Sequence, residues 1–561
     1  MSGKKTPAPV LELALEELEA ILERAKVGAI SAEEYTKLKA LIYTFALLQE
    51  ELQAKKTSLE RLRQMLFGPK SERTREVLGE GTGEPEPEAE AEAEASEQAG
   101  KEGGLERPGR SEKGVKRPGH GRNGAGAYAG AEKVKIPHPQ LQPGDRCSGC
   151  SKGKVYPLKE PAVRVRFRGM APLQATVYEC DRLRCNLCGE VYTSPTPAGV
   201  GEEKYDETAA AAVGLMRYGI GVPHNQIEKL QGNFGIPLPS STQYQLVEAA
   251  AHTYRPVHEA MQNGAADGTV VYNDDTTMKV LGLTHEQRAA ALGEDAAEER
   301  TGVFTSGIVS IGDGHRIALF FTGARHAGEN LGEILKRRSQ GLPAPIQMCD
   351  ALDQNLPKEF ETLLCRCVAH ARRKYVEVAG SFPEDVRFVL NTLKGIYKID
   401  ARARTEGLDP KQRLKLHQDE SGPLMRALRD WMTAQFAERK TEPNSGLGKA
   451  IRYMDHNWEA LSRFLQVENA PLDNNITERA LKKAIRHRRN SLFYKTLNGA
   501  RVGDVHMALI HTAELNDVNA FDYMVALLRH PRQIAEHPGE WMPWNYRATL
   551  ERLGAGPDPP A

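Results

Sequence analysis

The stretch from Leu472 to Asn490 joins a helix start to a run of basic side chains that contains one early acid, Glu478. At helical spacing, Glu478 shares a face with three cations: Lys482, Arg486 and Arg489. A row of cations can follow a phosphate backbone, so this face is typical of an enzyme that acts on nucleic acid. A solvated amphipathic helix capped by Asn474 or Asn475 would show the same pattern. Acids elsewhere in the chain that could join Glu478 would distinguish the enzyme from the solvated helix.

Two such acids occur in segments with the periodicity of strands. Asp274 lies within the alternating stretch Thr269–Met278, and Asp350 ends the short apolar stretch that begins at Pro345. Between them we predict two strands and one helix: Val303–Ile311, Arg316–Thr322 and Glu329–Arg338. Three consecutive strands, a helix and a fourth strand form the element order of a ribonuclease H-like fold, which brings acids of the first and fourth strands to one sheet edge.

Asp274, Asp350 and Glu478 together would offer hard carboxylate oxygens to two divalent cations, Mg²⁺ or Mn²⁺. Such a pair of ions activates an attacking oxygen and stabilises a leaving oxygen in phosphoryl transfer to or from DNA. The neighbouring acids Asp275 and Asp353 are the alternative ligands. Asp275 should point to the opposite sheet face from Asp274, and Asp353 lies beyond the strand end.

Two Cys-x-x-Cys pairs predict a zinc ribbon, with four ligands: Cys147, Cys150, Cys185 and Cys188. The interval between the pairs is longer than in most zinc fingers, and the alternating segment Ala162–Arg168 fits a strand with one cationic face. We therefore expect Zn²⁺ as a second metal.

Several longer motifs resemble a DDE transposase of the insertion sequence 66 family, and the resemblance covers nearly the whole chain. They are Leu-Phe-Gly-Pro-Lys-Ser-Glu-Arg at 66–73, the paired Cys-x-x-Cys knuckles, Asp-Asp-Thr at 274–276, Cys-Val-Ala-His-Ala-Arg-Arg-Lys at 367–374 and Asp-Asn-Asn-Ile-Thr-Glu-Arg at 473–479. The resemblance implies that Asp274, Asp350 and Glu478 are the catalytic acids. It also matches Cys367 and His370 to the family's Cys-x-x-His element, which we expect to brace the active-site helix.

The chain departs from this family at two places beside the acids. Tyr-Asn-Asp-Asp-Thr-Thr at 272–277 replaces the usual His-x-Asp-Glu-Thr-Pro, and Ala-Leu at 351–352 replaces the usual Gly-Tyr. Cys365, Cys367 and His370 are an alternative partial zinc site, but on a helix only Cys367 and His370 share a face, and no fourth ligand is evident.

The N-terminal segment predicts self-association. Leucines at a and d heptad positions follow a capping box at Ser31 and Glu34 and continue to Leu66, which indicates a coiled coil and at least a dimer; a helix packed within its own domain is the alternative. The acidic and then basic low-complexity stretch that follows is typical of a disordered linker, either solvated or in contact with DNA. Pro223–Leu246 suggests a helix-turn-helix whose second helix is capped by Ser240 or Ser241, although structural helical hairpins share this pattern.

Composition limits the class of protein. The 561 residues carry 75 basic and 75 acidic side chains, and neither a membrane span nor a signal peptide is apparent, so we expect a cytoplasmic, nucleoid-associated bacterial protein. The expected architecture is multidomain α/β. Its segments are 1–78 helical with a coiled coil, 79–130 linker, 131–200 zinc ribbon, 201–262 helical and DNA-binding, 263–375 ribonuclease H-like core, 376–470 helical insertion, 471–500 helix of the third acid and 501–561 helical C-terminal region.

The expected activity is metal-dependent cleavage at transposon ends followed by strand transfer into target DNA. The alternatives are a catalytically inactive DNA-binding protein derived from such an enzyme and a structure-specific DNA nuclease. Besides DNA and a second copy of the chain, the resemblance suggests as partners two small accessory proteins encoded by the same element, and the sequence leaves open whether they are required. Trp431 and Trp458 in the insertion could stack on an unpaired base or pack in a core.

Overall fold

The computed structural model describes residues 203–554, the stretches 171–184 and 191–195, and a few short pieces, namely 31, 142–146, 152–154, 156 and 197. The predicted coiled coil, the linker and the four zinc-ribbon cysteines lie outside these residues. The chain forms two compact units, one of residues 1–86 and 375–391 and one of residues 87–374 and 392–561.

A mixed five-stranded sheet forms the centre of the second unit. Its strands are β3 Val270–Thr277, β4 Phe304–Gly312, β5 His315–Gly323, β6 Ile346–Cys349 and β7 Leu363–Arg366, after a separate antiparallel pair, β1 Arg182–Arg184 and β2 Val191–Thr193. The order across the large sheet is β5-β4-β3-β6-β7. β5, β4 and β3 pair antiparallel, whereas β6 and β7 run parallel to β3. The four strands expected from the sequence are present, and β7 is an addition that the sequence did not predict.

Helices cover both faces of this sheet. α3 Ser240–Ala266 and α6 Ala327–Leu335 pack on one face, where Ser310 Oγ donates to the Ala265 carbonyl at 2.7 Å. α13 Asn475–Ser491 and α14 Leu497–Leu515 pack on the other. The strands between them are almost continuously buried, which matches their apolar sequences.

The helical segment before the sheet contains α1 Glu207–Gly214, a π-helical turn Leu215–Ile220, α2 His224–Asn233 and α3. The predicted cap of α3 is wrong. Pro239 occupies the N-cap position and makes no side-chain cap, whereas Ser240 begins the helix and its hydroxyl donates to Glu228 Oε2 at 2.5 Å. The reason is that Glu228 on α2 competes for the serine hydroxyl, so Ser240 links the two helices instead of capping one.

Two short helices connect β3 to β4, and a helical segment follows β7. The helices are α4 His285–Leu292, α5 Glu294–Glu299, α7 Val368–Val376, α8 Pro383–Thr405, α9 Pro410–Leu416, α10 Gly422–Ala437, α11 Gly446–His456 and α12 Trp458–Leu461. Trp458 is buried and lies under the guanidinium of Arg429 at 5.1 Å. Of the two alternatives for Trp458, stacking on a base or packing in a core, its burial favours core packing.

The C-terminal helices are α14, α15 Ala520–Arg529, α16 Pro531–Glu536 and α17 Tyr546–Arg552. α14 is attached to β5 along its length. Asp504 accepts hydrogen bonds from the Thr322 amide and hydroxyl, both at 2.7 Å, and Thr512 bonds both backbone groups of Ala318. In the part of the chain that the structure describes, no helix is long and apolar enough to cross a membrane.

Candidate active site

Asp274 and Asp350 lie at the same edge of the sheet because their strands are parallel neighbours. Tyr272 of β3 pairs with Met348 of β6, so two residues further on Asp274, within β3, and Asp350, just after β6, lie at the same level. The side-chain amide of Asn355 lies between them: Nδ2 donates to Asp350 Oδ1 at 2.6 Å and is 3.5 Å from Asp274 Oδ1. The two carboxylates therefore share one hydrogen-bond donor.

Asp275 points to the opposite face of β3. Its Oδ2 lies 2.7 Å from His326 Nδ1 and accepts the Ala327 amide at 3.4 Å, at the start of α6. Only 9% of its side chain is exposed. The Asp275 side chain thus attaches the start of α6 to β3 and points away from the Asp274 side chain.

Asp353 is exposed on the short turn Asp353–Asn355 that follows β6. In this turn it is Asn355, fully buried, that faces the acids. Asn355 could not be identified from the sequence. An asparagine five residues after a strand-end acid carries no distinctive pattern, so its role is visible only once the turn folds back over the sheet edge.

Glu478 lies in the first turn of α13, which crosses β3 and β4. Gly307 of β4 permits this approach, because a Cβ there would lie 3.0 Å from the Leu481 side chain. Asn474 fixes the start of the helix by donating from Nδ2 to the Asn273 carbonyl at 3.2 Å. This anchor holds Glu478 on the same sheet face as Asp274.

Burial, together with neighbouring negative charge, changes the acidity of Asp274. Burial, and next the nearby charge of Asp350, raise the pKa of Asp274 from 3.8 to about 7, with smaller contributions from Asp275 and Glu478. Carboxylates that repel one another in this way are stabilised by a bound cation. The donor set of carboxylate oxygens fits Mg²⁺ or Mn²⁺.

A buried polar network supports the turn that carries Asn355. The backbone carbonyl of Asn355 accepts hydrogen bonds from Asn273 Nδ2 at 2.7 Å and from Gln347 Nε2 at 2.8 Å. Thr362 Oγ1 in turn donates to Gln347 Oε1 at 2.7 Å. The bonds from Asn273 and Gln347 tie the turn to β3 and β6, and Thr362 holds Gln347 in place, so the position of Asn355 is fixed by the sheet.

Arg366 at the end of β7 lies directly behind Asp350. The buried guanidinium donates to the Asp350 carbonyl and is 3.3 Å from Cys349 Sγ. It also lines an open cleft of about 600 Å³ that extends to the end of α11, with the other lining residues Ala351, Asp353, Arg452, Tyr453, Asp455, His456 and Asn457. The sequence did not indicate this cleft, because β7 was not predicted.

The three predicted DNA-contacting cations, Lys482, Arg486 and Arg489, are all exposed on α13. Arg488, which the sequence analysis did not select, points inward instead. Its Nη1 donates to Thr277 Oγ1 at 2.6 Å and to Thr276 Oγ1 at 3.2 Å, so it fastens α13 to the end of β3.

Cys367 and His370 lie beside the start of α13. Cys367 Sγ accepts the Asn474 amide at 3.3 Å, and the Val368 amide donates to the Leu472 carbonyl at 2.9 Å. His370 Nδ1 is 3.8 Å from Glu478 Oε1. Burial raises the pKa of the Cys367 thiol to about 12. Cys365 is buried in β7 and is not part of this group.

The predicted zinc ligands lie outside the described residues, but the residues around them are paired. Arg146 forms an antiparallel bridge with Lys154, and this pair brackets Cys147 and Cys150. β1 and β2 pair antiparallel and bracket Cys185 and Cys188 in the same way.

Comparison with known proteins places these residues within one family. The family model described as Transposase IS66 family matches residues 204–502. Two proteins of Sinorhizobium fredii (strain NBRC 101917 / NGR234) are similar to the chain. The uncharacterized protein y4jD is 24% identical over 430 residues, which cover 73% of this chain and 80% of the relative. The uncharacterized protein y4hP is 24% identical over 433 residues, which cover 72% of this chain and 74% of the relative.

The family match includes the strands that carry Asp274 and Asp350 and the helix that carries Glu478. It also spans more than half of the 561 residues. The chain belongs to the IS66 family of transposases.

Proposed function

We propose that this chain is a DDE transposase that cuts the phosphodiester at the ends of a mobile element and joins the freed 3′-hydroxyl to target DNA. Asp274, Asp350 and Glu478 are the catalytic carboxylates in this proposal. The observation that carries it is the shared Asn355 amide, which brings Asp274 and Asp350 together at one sheet edge in a chain of a transposase family.

The strand order supports a ribonuclease H-like catalytic core. Three antiparallel strands precede a helix and then a parallel fourth strand, and the sheet order is β5-β4-β3-β6-β7. In such a core the first and fourth strands are adjacent, and acids at their ends meet. A third acid then comes from a helix that packs on the same face, which is the position of Glu478 on α13.

Two divalent cations, Mg²⁺ or Mn²⁺, fit the three carboxylates. The raised pKa of Asp274 supports their binding, because a cation would offset the repulsion between Asp274 and Asp350. When bound, these ions supply activation of the attacking oxygen and stabilisation of the leaving oxygen. Asp274, Asp350 and Glu478 would hold them, and Asn355 would orient the first two carboxylates.

The exposed cations Lys482, Arg486 and Arg489 would bind the DNA backbone beside the acids. Their spacing along α13 gives a basic row that begins near Glu478, and phosphate contacts of this kind position a duplex without reading its sequence. Arg488 keeps this row aligned with the sheet by its bonds to Thr276 and Thr277.

The remaining parts of the chain would hold the DNA ends. The zinc ribbon at 131–200 and the helical region at 201–262 are proposed to bind the element ends, and the coiled coil within 1–78 to pair two copies of the chain. A transposase must bring two ends together, so a dimer is the minimum assembly. Two small accessory proteins of the same element are further proposed partners.

The proposal is tested by incubating the full-length protein with DNA that carries the terminal inverted repeats of the element, with and without Mg²⁺. We expect cuts that leave 3′-hydroxyl ends, followed by joining to a target duplex. End binding without cleavage would instead indicate a DNA-binding protein that has lost catalysis. Cleavage that ignores the repeats would indicate a structure-specific nuclease.

A further inference from the structure

Three side chains, one of which is the proposed catalytic acid Glu478, have the ligand types of a transition-metal site. Cys367, His370 and Glu478 each offer one ligand atom, and these atoms all lie within 4.8 Å of one another. They come from two separate elements. Cys367 directly precedes α7, which carries His370, and Glu478 lies in the first turn of α13.

His370 provides an independent indication. Its Nδ1 is buried and has no hydrogen-bond partner among the residues that the structure describes, and it faces Glu478 Oε1 at 3.8 Å. A buried ring nitrogen without a partner has lost its hydrogen bond to water without a replacement. A cation between this nitrogen and the carboxylate would satisfy both groups.

We propose that Cys367, His370 and Glu478 bind one ion of the zinc type, Zn²⁺ or Co²⁺. A thiolate and an imidazole select such ions over Mg²⁺, which prefers oxygen ligands. Ligand atoms about 2.0–2.3 Å from a shared ion lie roughly 3–4 Å apart, so the group has to contract by about 1 Å. Binding releases the proton of Cys367 to solvent, and a water completes the fourth position.

The ion would connect the start of α7 to the start of α13, where Cys367 Sγ already accepts the Asn474 amide. It would also fix the orientation of Glu478. The site goes beyond the proposed function, because it requires neither DNA nor turnover, and it is distinct from the zinc ribbon, whose four cysteines lie in residues 147–188.

The test is a Co²⁺ titration of the full-length protein after metal removal, followed by absorption spectroscopy without DNA. Wild type should bind about one Co²⁺ per chain more than Cys367→Ser, and the thiolate-to-cobalt absorption should fall in the variant. Cys365→Ser is the matched control, because Cys365 is equally buried two residues away and lies outside the cluster. This control should bind as much Co²⁺ as wild type.

Equal stoichiometry and equal spectra for wild type and Cys367→Ser would overturn the proposal, as would an equal loss in Cys365→Ser. If circular dichroism shows that Cys367→Ser is unfolded, His370→Asn decides, because His370 is partly exposed and its replacement should preserve the fold. His370→Asn should weaken Co²⁺ binding at least about 10-fold, and unchanged affinity would overturn the site. Since no cleavage is measured, failure here leaves the proposed function intact, and absence of cleavage leaves a positive cobalt result intact.

Discussion

Asn355 donates its side-chain amide to Asp350 at 2.6 Å, from a turn whose backbone is bonded to β3 and β6. The same amide nitrogen reaches Asp274 at 3.5 Å. A fixed donor between two carboxylates restricts their rotation, which keeps both oxygens directed at one point.

Replacing Asn355 by alanine should therefore reduce cleavage at DNA ends by roughly 10–100-fold, the usual cost of losing a group that orients metal ligands. End binding should not change. Gln354→Ala is the matched control, because Gln354 lies on the same turn and is exposed. Cleavage by Asn355→Ala at the wild-type rate would show that the shared amide has no part in the reaction.

The stability of the metal-free protein should depend on the charge of Asp274. Its pKa is about 7 in the folded protein against 3.8 when exposed, so the folded state binds more protons between these pH values and rising pH lowers the free energy of unfolding. Above pH 7, the ionisation of Asp274 lowers the free energy of unfolding by up to about 4 kcal/mol. Asp274→Asn should remove it.

Thermal unfolding at pH 5 and pH 8 in a chelator measures this effect. Asp504, whose pKa is raised to about 7 by burial, contributes in the same direction, so the comparison is between wild type and Asp274→Asn. Mg²⁺ should raise the Tm of wild type at pH 8 and leave that of Asp274→Asn nearly unchanged. An identical Mg²⁺ response in both proteins would exclude Asp274 as a metal ligand.

The basic row on α13, Lys482, Arg486 and Arg489, should make DNA binding depend on salt concentration. Lys482→Ala and Arg489→Ala should each weaken binding uniformly across sequences and reduce the slope of log affinity against log salt by about 1. Glu438→Ala serves as the control, because Glu438 is exposed in the loop between α10 and α11 and is distant in sequence from α13. A slope that does not change in either variant would remove these residues from the DNA interface.

The four cysteines of the predicted ribbon should hold about one zinc per chain, and Cys185→Ser should release most of it. DNA binding should weaken, because the ribbon loses its fold, whereas the acids are unaffected. Metal analysis of the purified protein is the measurement. Wild-type protein that retains no zinc at these cysteines would contradict the assignment.

Much of the five-stranded sheet could be predicted because its strands are short apolar segments bounded by turns. The same pattern predicts Asp274 within β3 and Asp350 at the end of β6. β7 was missed since Leu363–Arg366 is only four residues long and carries no alternation. Arg488 could not be predicted because its partners Thr276 and Thr277 are distant in sequence, and Asn355 because no pattern marks an asparagine in that turn. The cap at Ser240 was wrong because Glu228, twelve residues away, accepts the serine hydroxyl.

We propose that Asp274, Asp350 and Glu478 act as one metal-binding unit in DNA cleavage. The most direct measurement is end cleavage by Asp274→Asn, Asp350→Asn, Glu478→Gln and the exposed control Asp353→Asn, with end binding recorded in parallel. Each of the first three should lose cleavage and keep DNA binding, a double variant should be hardly worse than a single one, and Asp353→Asn should cleave normally. Cleavage that survives in Asp274→Asn, or is lost in Asp353→Asn instead, would contradict the account.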